Sequence, residues 1–181
     1  FHQHGSLRIA LTDAYRVDLQ QRFDAAQDMG LEARFLSVDE ACRMVPLIRL
    51  PDVSGVLFAP RDGFVEPRSV AVAYAAGARD RGVRIMTDTR VEEIVSRQGR
   101  LTAVKTSRGL VEAGCVVLAA GAWTRQLGQQ LGLNLHVVPV RHQLLVTVPT
   151  AGVRDDQPIV RITEPHLYVR QHNGGLLLGG Y

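Results

Sequence analysis

Residues Val116 to Ala120 are apolar at every position, and the run passes directly into Gly121-Ala-Trp123. A strand with one wet face alternates, so a continuous run predicts a strand covered on both faces, as in a parallel α/β sheet. The stretch Thr124 to Leu131, stopped by Gly132, reads as a helix. The junction therefore brings small residues to the end of a buried strand, where backbone amides can approach a ligand. The same junction is also what close helix-to-strand packing needs with no ligand at all.

The preceding sequence supplies mixed elements. Ser6 to Leu11 alternates like a strand, and Thr12 offers an N-cap to a helix carrying Val17, Leu19, Phe23 and Ala26 up to Gly30. Leu31 to Leu36 predicts a second strand. Ser37-Val-Asp-Glu40 is a capping box opening a short helix ahead of Pro46. Arg49 to Asp52 predicts a loop, and Val53 to Phe58 a third strand. Asp62-Gly63 reads as a turn, after which Pro67 stands at the first position of a helix that runs to Gly82. Val83 to Met86, Val91 to Val95, Leu101 to Thr106 and Leu110 to Ala113 predict a small meander with turns at Gln98-Gly99 and Arg108-Gly109. Beyond the junction, Val137 to Val140, Gln143 to Val148, Pro158 to Ile162, Leu167 to Arg170 and Leu176 to Leu178 predict strands of another sheet. The fold class is α/β with α+β character.

Composition narrows the function classes. The 181 residues hold 21 Lys plus Arg against 18 Asp plus Glu, and 46% are hydrophobic. Disorder, collagen and coiled coil are excluded, and a core can form without disulfides or metals. Lys105 is the single lysine, and the arginines are interspersed with acids, so no phosphate-tracking stripe points to nucleic acid. Cys42 and Cys115 stand at no metal spacing, and Cys115 heads an apolar run where a thiol packs as a small hydrophobe. No apolar stretch of membrane-spanning length occurs, so the expected setting is a reducing cytoplasm or a mitochondrial matrix, away from membranes. Phe1 and the unfinished element at Tyr181 create an expectation of missing sequence on both sides.

Several chemical signatures are absent. There is no G-x-G-x-x-G, Walker loop or G-x-S-x-G elbow. Glu92 and Glu93 are adjacent on a strand and point to opposite faces, which disfavours a glycosidase-type pair. His2 and His4 are expected to be solvated, and no histidines form an i, i+4 metal pair. His142, Tyr168 and Arg170 remain as polar residues among apolar strand positions. An imidazole facing a cleft can take or give a proton near neutral pH, and a phenol beside it can hydrogen-bond a carboxylate or water. A surface histidine and a core-edge tyrosine fit the same pattern.

Read in order, Asp62-Gly63-x-x-x-Pro67, Val91-Glu-Glu-Ile94, Thr106-Ser-Arg-Gly109, Val116-Val-Leu-Ala-Ala-Gly-Ala-Trp123 and Pro139-Val-Arg-His-Gln143 resemble the central part of the FAD-dependent D-amino-acid oxidase and sarcosine oxidase superfamily. Arg141-His-Gln-Leu-Leu-Val-Thr147 and Leu167-Tyr-Val-Arg-Gln171, running into Gly175-Leu-Leu-Leu-Gly-Gly-Tyr181, resemble its sarcosine and dimethylglycine dehydrogenase branch. The resemblance implies a two-domain flavoprotein: 1–62 and 134–181 in a substrate domain with a mixed sheet, and 63–133 in an incomplete Rossmann-like FAD-binding part. It also implies that Val91, Ala120, Gly121 and Trp123 line FAD and that His142 and Tyr168 face the substrate, with Arg170 a candidate for its carboxylate. The expected partners are a small amino-acid substrate and the N- and C-terminal parts of the same chain. The implied reaction is oxidation of the C–N bond of sarcosine or dimethylglycine. A glycine or D-amino-acid type oxidase, or a non-catalytic binding domain, is the rival reading. The glycine-rich loop that holds the diphosphate lies outside this sequence, so tight FAD binding by these residues alone is not expected.

Overall fold

The computed structural model describes residues 1–49 and 52–180. Leu50 and Pro51 of the expected 49–52 loop, and Tyr181 of the last motif, lie outside the described residues. The chain forms two compact units, Phe1–Ala71 with His142–Tyr181, and Val72–Arg141.

The first unit is a seven-stranded mixed sheet. Its strands are β1 (Ser6–Ala10), β2 (Arg34–Leu36), β3 (Gly55–Ala59), β7 (Leu144–Val146), β8 (Ile159–Ile162), β9 (Leu167–His172) and β10 (Gly175–Gly180), in spatial order β2-β3-β1-β8-β9-β10-β7. Only the β1–β8 pairing is parallel, with Leu7 opposite Val160; the other neighbours are antiparallel. Alternation assigns the faces. Leu7, Ile9, Val56, Phe58, Val160 and Val169 point to one side and bury against Ala41 and Val45, contributed by α2 (Val38–Met44) and the residue that follows it. Ala10 and Leu57 point to the other side and meet Leu19 of α1 (Asp13–Asp28).

The two helix starts are held by different means. Ser37 and Glu40 form the expected capping box, with Glu40 Oε2 accepting from the Ser37 amide at 2.8 Å. Thr12 makes no side-chain cap. Glu164 instead reaches from the β8–β9 turn, and its Oε1 accepts from the amides of Leu11 at 2.7 Å and Thr12 at 2.9 Å. A carboxylate there satisfies free donors and complements the helix dipole.

The second unit contains the antiparallel meander β4 (Val91–Arg97), β5 (Arg100–Thr106) and β6 (Gly109–Glu112), a 3-10 turn at Gly121–Trp123 and α4 (Thr124–Gln129). Ile94 and Ala103 are its buried apolar residues. The helix α3 (Pro67–Arg79) starts at Pro67 as read from sequence and spans the division between the units.

Four expectations are corrected here. Val116 to Ala120 belongs to no strand, and Val117 is 83% exposed. Among the described residues no strand pairs with this run, and an unpaired backbone cannot hold a ladder. Cys115 is exposed for the same reason rather than packed. Val83 to Met86 and Val137 to Val140 are likewise outside strands. No helix among the described residues is long and apolar enough to cross a membrane.

Candidate functional site

In the second unit, a groove of about 880 Å³ opens between the start of β4 and the segment from Ala120 to Gln130. Val91, Ala120 and Trp123, three of the residues that sequence resemblance assigns to the cofactor, line it with Arg90, Glu92 and Leu127. Gly121 opens the 3-10 turn between Ala120 and Trp123 and is exposed. The groove keeps its shape through Gln130. Its Nε2 donates to the Glu92 carbonyl at 3.1 Å, and its Oε1 accepts from the Ile94 amide at 3.3 Å, tying the end of α4 to β4. No pattern around Gln130 marks it in the sequence, because the contact joins residues far apart in the chain.

The lining fits FAD in kind. Val91, Ala120 and Leu127 form an apolar wall, the Trp123 indole is 68% exposed beside it, and Arg90 contributes a guanidinium. A planar ring system joined to phosphates needs that combination of apolar surface, aromatic face and cation. Among the described residues no cluster of His, Cys, Asp and Glu could hold a metal ion.

In the first unit, Tyr168 and Arg170 lie on the face of β9 away from the Val169 core, as residues two apart must. Tyr168 stands opposite Gly179 on β10, and Gly179 stands opposite Leu144 on β7. The phenol and Leu144 converge above Gly179: a Cβ there would lie 2.6 Å from the Tyr168 hydroxyl and 2.7 Å from Leu144 Cδ2. His142 is exposed, two residues ahead of Leu144 and outside the strand in which the sequence pattern had included it. Arg170 is not a free guanidinium. Its Nη2 lies 3.4 Å from Glu66 Oε1, its Nη1 donates to the Gln171 carbonyl at 3.0 Å, and its Cζ sits 4.3 Å from the centre of the Phe64 ring.

Phe64 and Glu66 are neighbours of Arg170 that the sequence reading left unassigned. Two residues apart in a loop, they carry no periodicity that would connect them to β9. His2 is exposed as expected, whereas His4 is half-buried and departs from the expectation of a solvated end. The His2 ring stacks on Phe64 at 4.7 Å and 14°, the His4 ring meets Phe64 edge-on, and His4 Nδ1 is buried.

The opposite face of the same sheet carries a separate groove of about 380 Å³, lined by His4, Arg34, Glu40, Arg43, Arg154 and Asp156 among others. Ser37, through its amide and then its hydroxyl, holds the Glu40 carboxyl below the ordinary glutamate range. The hydrogen bond from Arg154 lowers Asp156, and Asp156 in turn raises Arg154. These groups are exposed, and such pairs contribute little to stability.

The whole chain, residues 1–181, matches the family described as FAD dependent oxidoreductase. It is 32% identical over its full length to the mitochondrial dimethylglycine dehydrogenase of Rattus norvegicus, of which it covers 22%. It is 28% identical over 99% of its length to the mitochondrial sarcosine dehydrogenase of Mus musculus, of which it covers 20%. The chain thus spans about a fifth of the length of these two relatives. Among solved structures, L-proline dehydrogenase from P. horikoshii superposes with a TM-score of 0.85 at 25% identity, over 98% of this chain and 48% of that one. Mixed-sheet architecture, motif order and the full-length match agree: the chain belongs to the FAD dependent oxidoreductase family, whose cofactor is FAD.

Proposed function

We propose that the protein containing this chain oxidises the C–N bond of a small N-methylated amino acid of the sarcosine or dimethylglycine type. The observation that carries the reading is the convergence of Val91, Ala120 and Trp123 on one groove whose lining suits FAD. The similarity to dimethylglycine and sarcosine dehydrogenases supports the substrate class. The unit Val72–Arg141 then belongs to the FAD-binding domain, expected over 63–133, and the sheet of the first unit belongs to the substrate domain.

Bound FAD would supply the acceptor for a hydride from the N-methyl carbon, leaving an iminium that water can hydrolyse. The chain's own residues prepare the amine. His142 takes the ammonium proton, which frees the nitrogen lone pair that the electron transfer requires. Tyr168, fixed above Gly179, donates its hydroxyl to the substrate and limits its orientations. Arg170 supplies positive charge on the same face for the substrate carboxylate. The chain's free Cys42 and Cys115 suit a reducing compartment, cytoplasm or mitochondrial matrix.

Turnover of the full-length protein with an artificial electron acceptor tests this reading. Sarcosine or dimethylglycine should be consumed with demethylation, and glycine should be a poor substrate. Preference for glycine would move the protein to the oxidase branch, and no turnover with any amino acid would favour a binding module.

A further inference from the structure

The Asp62–Pro67 segment is built as a bracket. Asp62 Oδ2 accepts from Ser6 Oγ at 2.5 Å and the Asp62 carbonyl accepts from the Gly5 amide at 2.8 Å, which anchors one end to β1. Phe64 and His2 exchange both backbone hydrogen bonds, at 2.9 and 3.1 Å. Gly63 is required between them, because a Cβ at that position would collide with the His2 carbonyl oxygen. The segment so pinned presents the Phe64 ring and the Glu66 carboxylate to Arg170, whose side chain is only 13% exposed. Ring face, carboxylate and the Gln171 carbonyl hold one guanidinium from three directions, and a planar fork held in that way loses little entropy when it meets an anion.

We infer that Glu66 is a positioning residue that sets the charge Arg170 presents on the Tyr168 face, and with it the pH at which the bound amine gives up its proton. This rests on the amine-oxidation reading. The other charged and titratable groups on this side are Arg161 of β8, opposite Tyr168, Arg8 of β1, opposite Arg161, His172 of β9, His2 stacked on Phe64, and Asp62 at the anchored end of the bracket. Asp62 is turned to Ser6, whereas Glu66 is paired with Arg170 and therefore offsets the arginine charge. An ammonium ion bound near a full positive charge is destabilised relative to the neutral amine, and a neighbouring carboxylate cancels part of that effect.

The two partners of the ion pair give the test its discrimination. E66Q and R170M break the same contact but leave opposite charges. In the full-length flavoprotein, the limiting rate of flavin reduction at saturating substrate is followed against pH. E66Q should move the acidic limb about half a pH unit lower, and R170M about as far higher, for a unit charge removed at about 10 Å in a partly solvated site. The double variant should return the limb toward the wild-type position, and R170M alone should raise KM. Glu66 is half exposed, so E66Q supports the test even if R170M fails to fold. Profiles that stay in place while both single variants lose thermal stability would make the bracket merely structural and overturn the inference. A wild-type flavin that no N-methylated amino acid reduces would overturn it together with the reading beneath it, an outcome distinct from unshifted profiles in an active enzyme.

Discussion

The Tyr168 phenol is seated against Gly179 of the neighbouring strand, where a Cβ would come within 2.6 Å of both its Cζ and its hydroxyl oxygen. Gly179 lies within β10, so the constraint is one of space rather than backbone conformation. Gly179→Ala must push the phenol away. Displacements near 1 Å at a reacting group cost up to about 100-fold in rate. G179A is expected to lower kcat/KM by about 10- to 100-fold with a stability loss of about 1–3 kcal/mol. Y168F, which keeps the ring, should leave stability nearly unchanged. Steady-state kinetics and thermal melts of the two variants check this, and unaltered kcat/KM in G179A would separate Tyr168 from the chemistry.

Gln130 joins α4 to β4 through two hydrogen bonds that border the groove holding Val91, Ala120 and Trp123. Each bond contributes about 1 kcal/mol. Q130A is therefore expected to weaken FAD retention by about tenfold. Equilibrium dialysis of the full-length apoprotein with FAD measures it. Wild-type affinity in Q130A would mean that the groove is not part of the cofactor site.

The capping box at α2 gives a stability effect with a defined sign. The Glu40 carboxyl is held below its ordinary value by Ser37, so its contribution is present at neutral pH and is lost as pH falls through that lowered value. S37A should lower stability by about 1 kcal/mol at neutral pH. The difference between wild type and E40Q should shrink once pH falls below the usual glutamate range and disappear below the lowered value. Denaturant titrations at neutral and acidic pH check both statements, and a gap that widened in acid would contradict the assigned sign.

Leu19 is the fully buried contact between α1 and the Ala10–Leu57 face of the sheet. Leu19→Ala is expected to cost about 3 kcal/mol, whereas Val17→Ala, at a residue 59% exposed, should cost well under 1 kcal/mol. Chemical denaturation with matched m-values decides between them.

The elements legible in the sequence are those whose signals are local. Ser37 and Glu40 are three residues apart and declare their own helix, and Pro67 marks the start of α3. Where the stabilising partner is distant, local reading fails. Thr12 reads as a cap, yet its side chain caps nothing, and its own amide is held by Glu164 from 152 residues away. Val116 to Ala120 has the composition of a buried strand, but the described residues offer it no neighbour, and composition cannot supply a hydrogen-bond partner. The site divides in the same way. Val91, Ala120 and Trp123 were reached through motif resemblance and meet in one groove. Gln130, Phe64 and Glu66 were not, because each acts through a residue brought near only by the fold.

The most direct measurement is anaerobic titration of the full-length protein with dimethylglycine or sarcosine, followed by flavin absorbance. The expected result is a yellow protein whose flavin bleaches as the N-methylated amino acid is added and recovers when an electron acceptor is supplied. A protein that carries FAD but keeps its full absorbance with every N-methylated amino acid would contradict it.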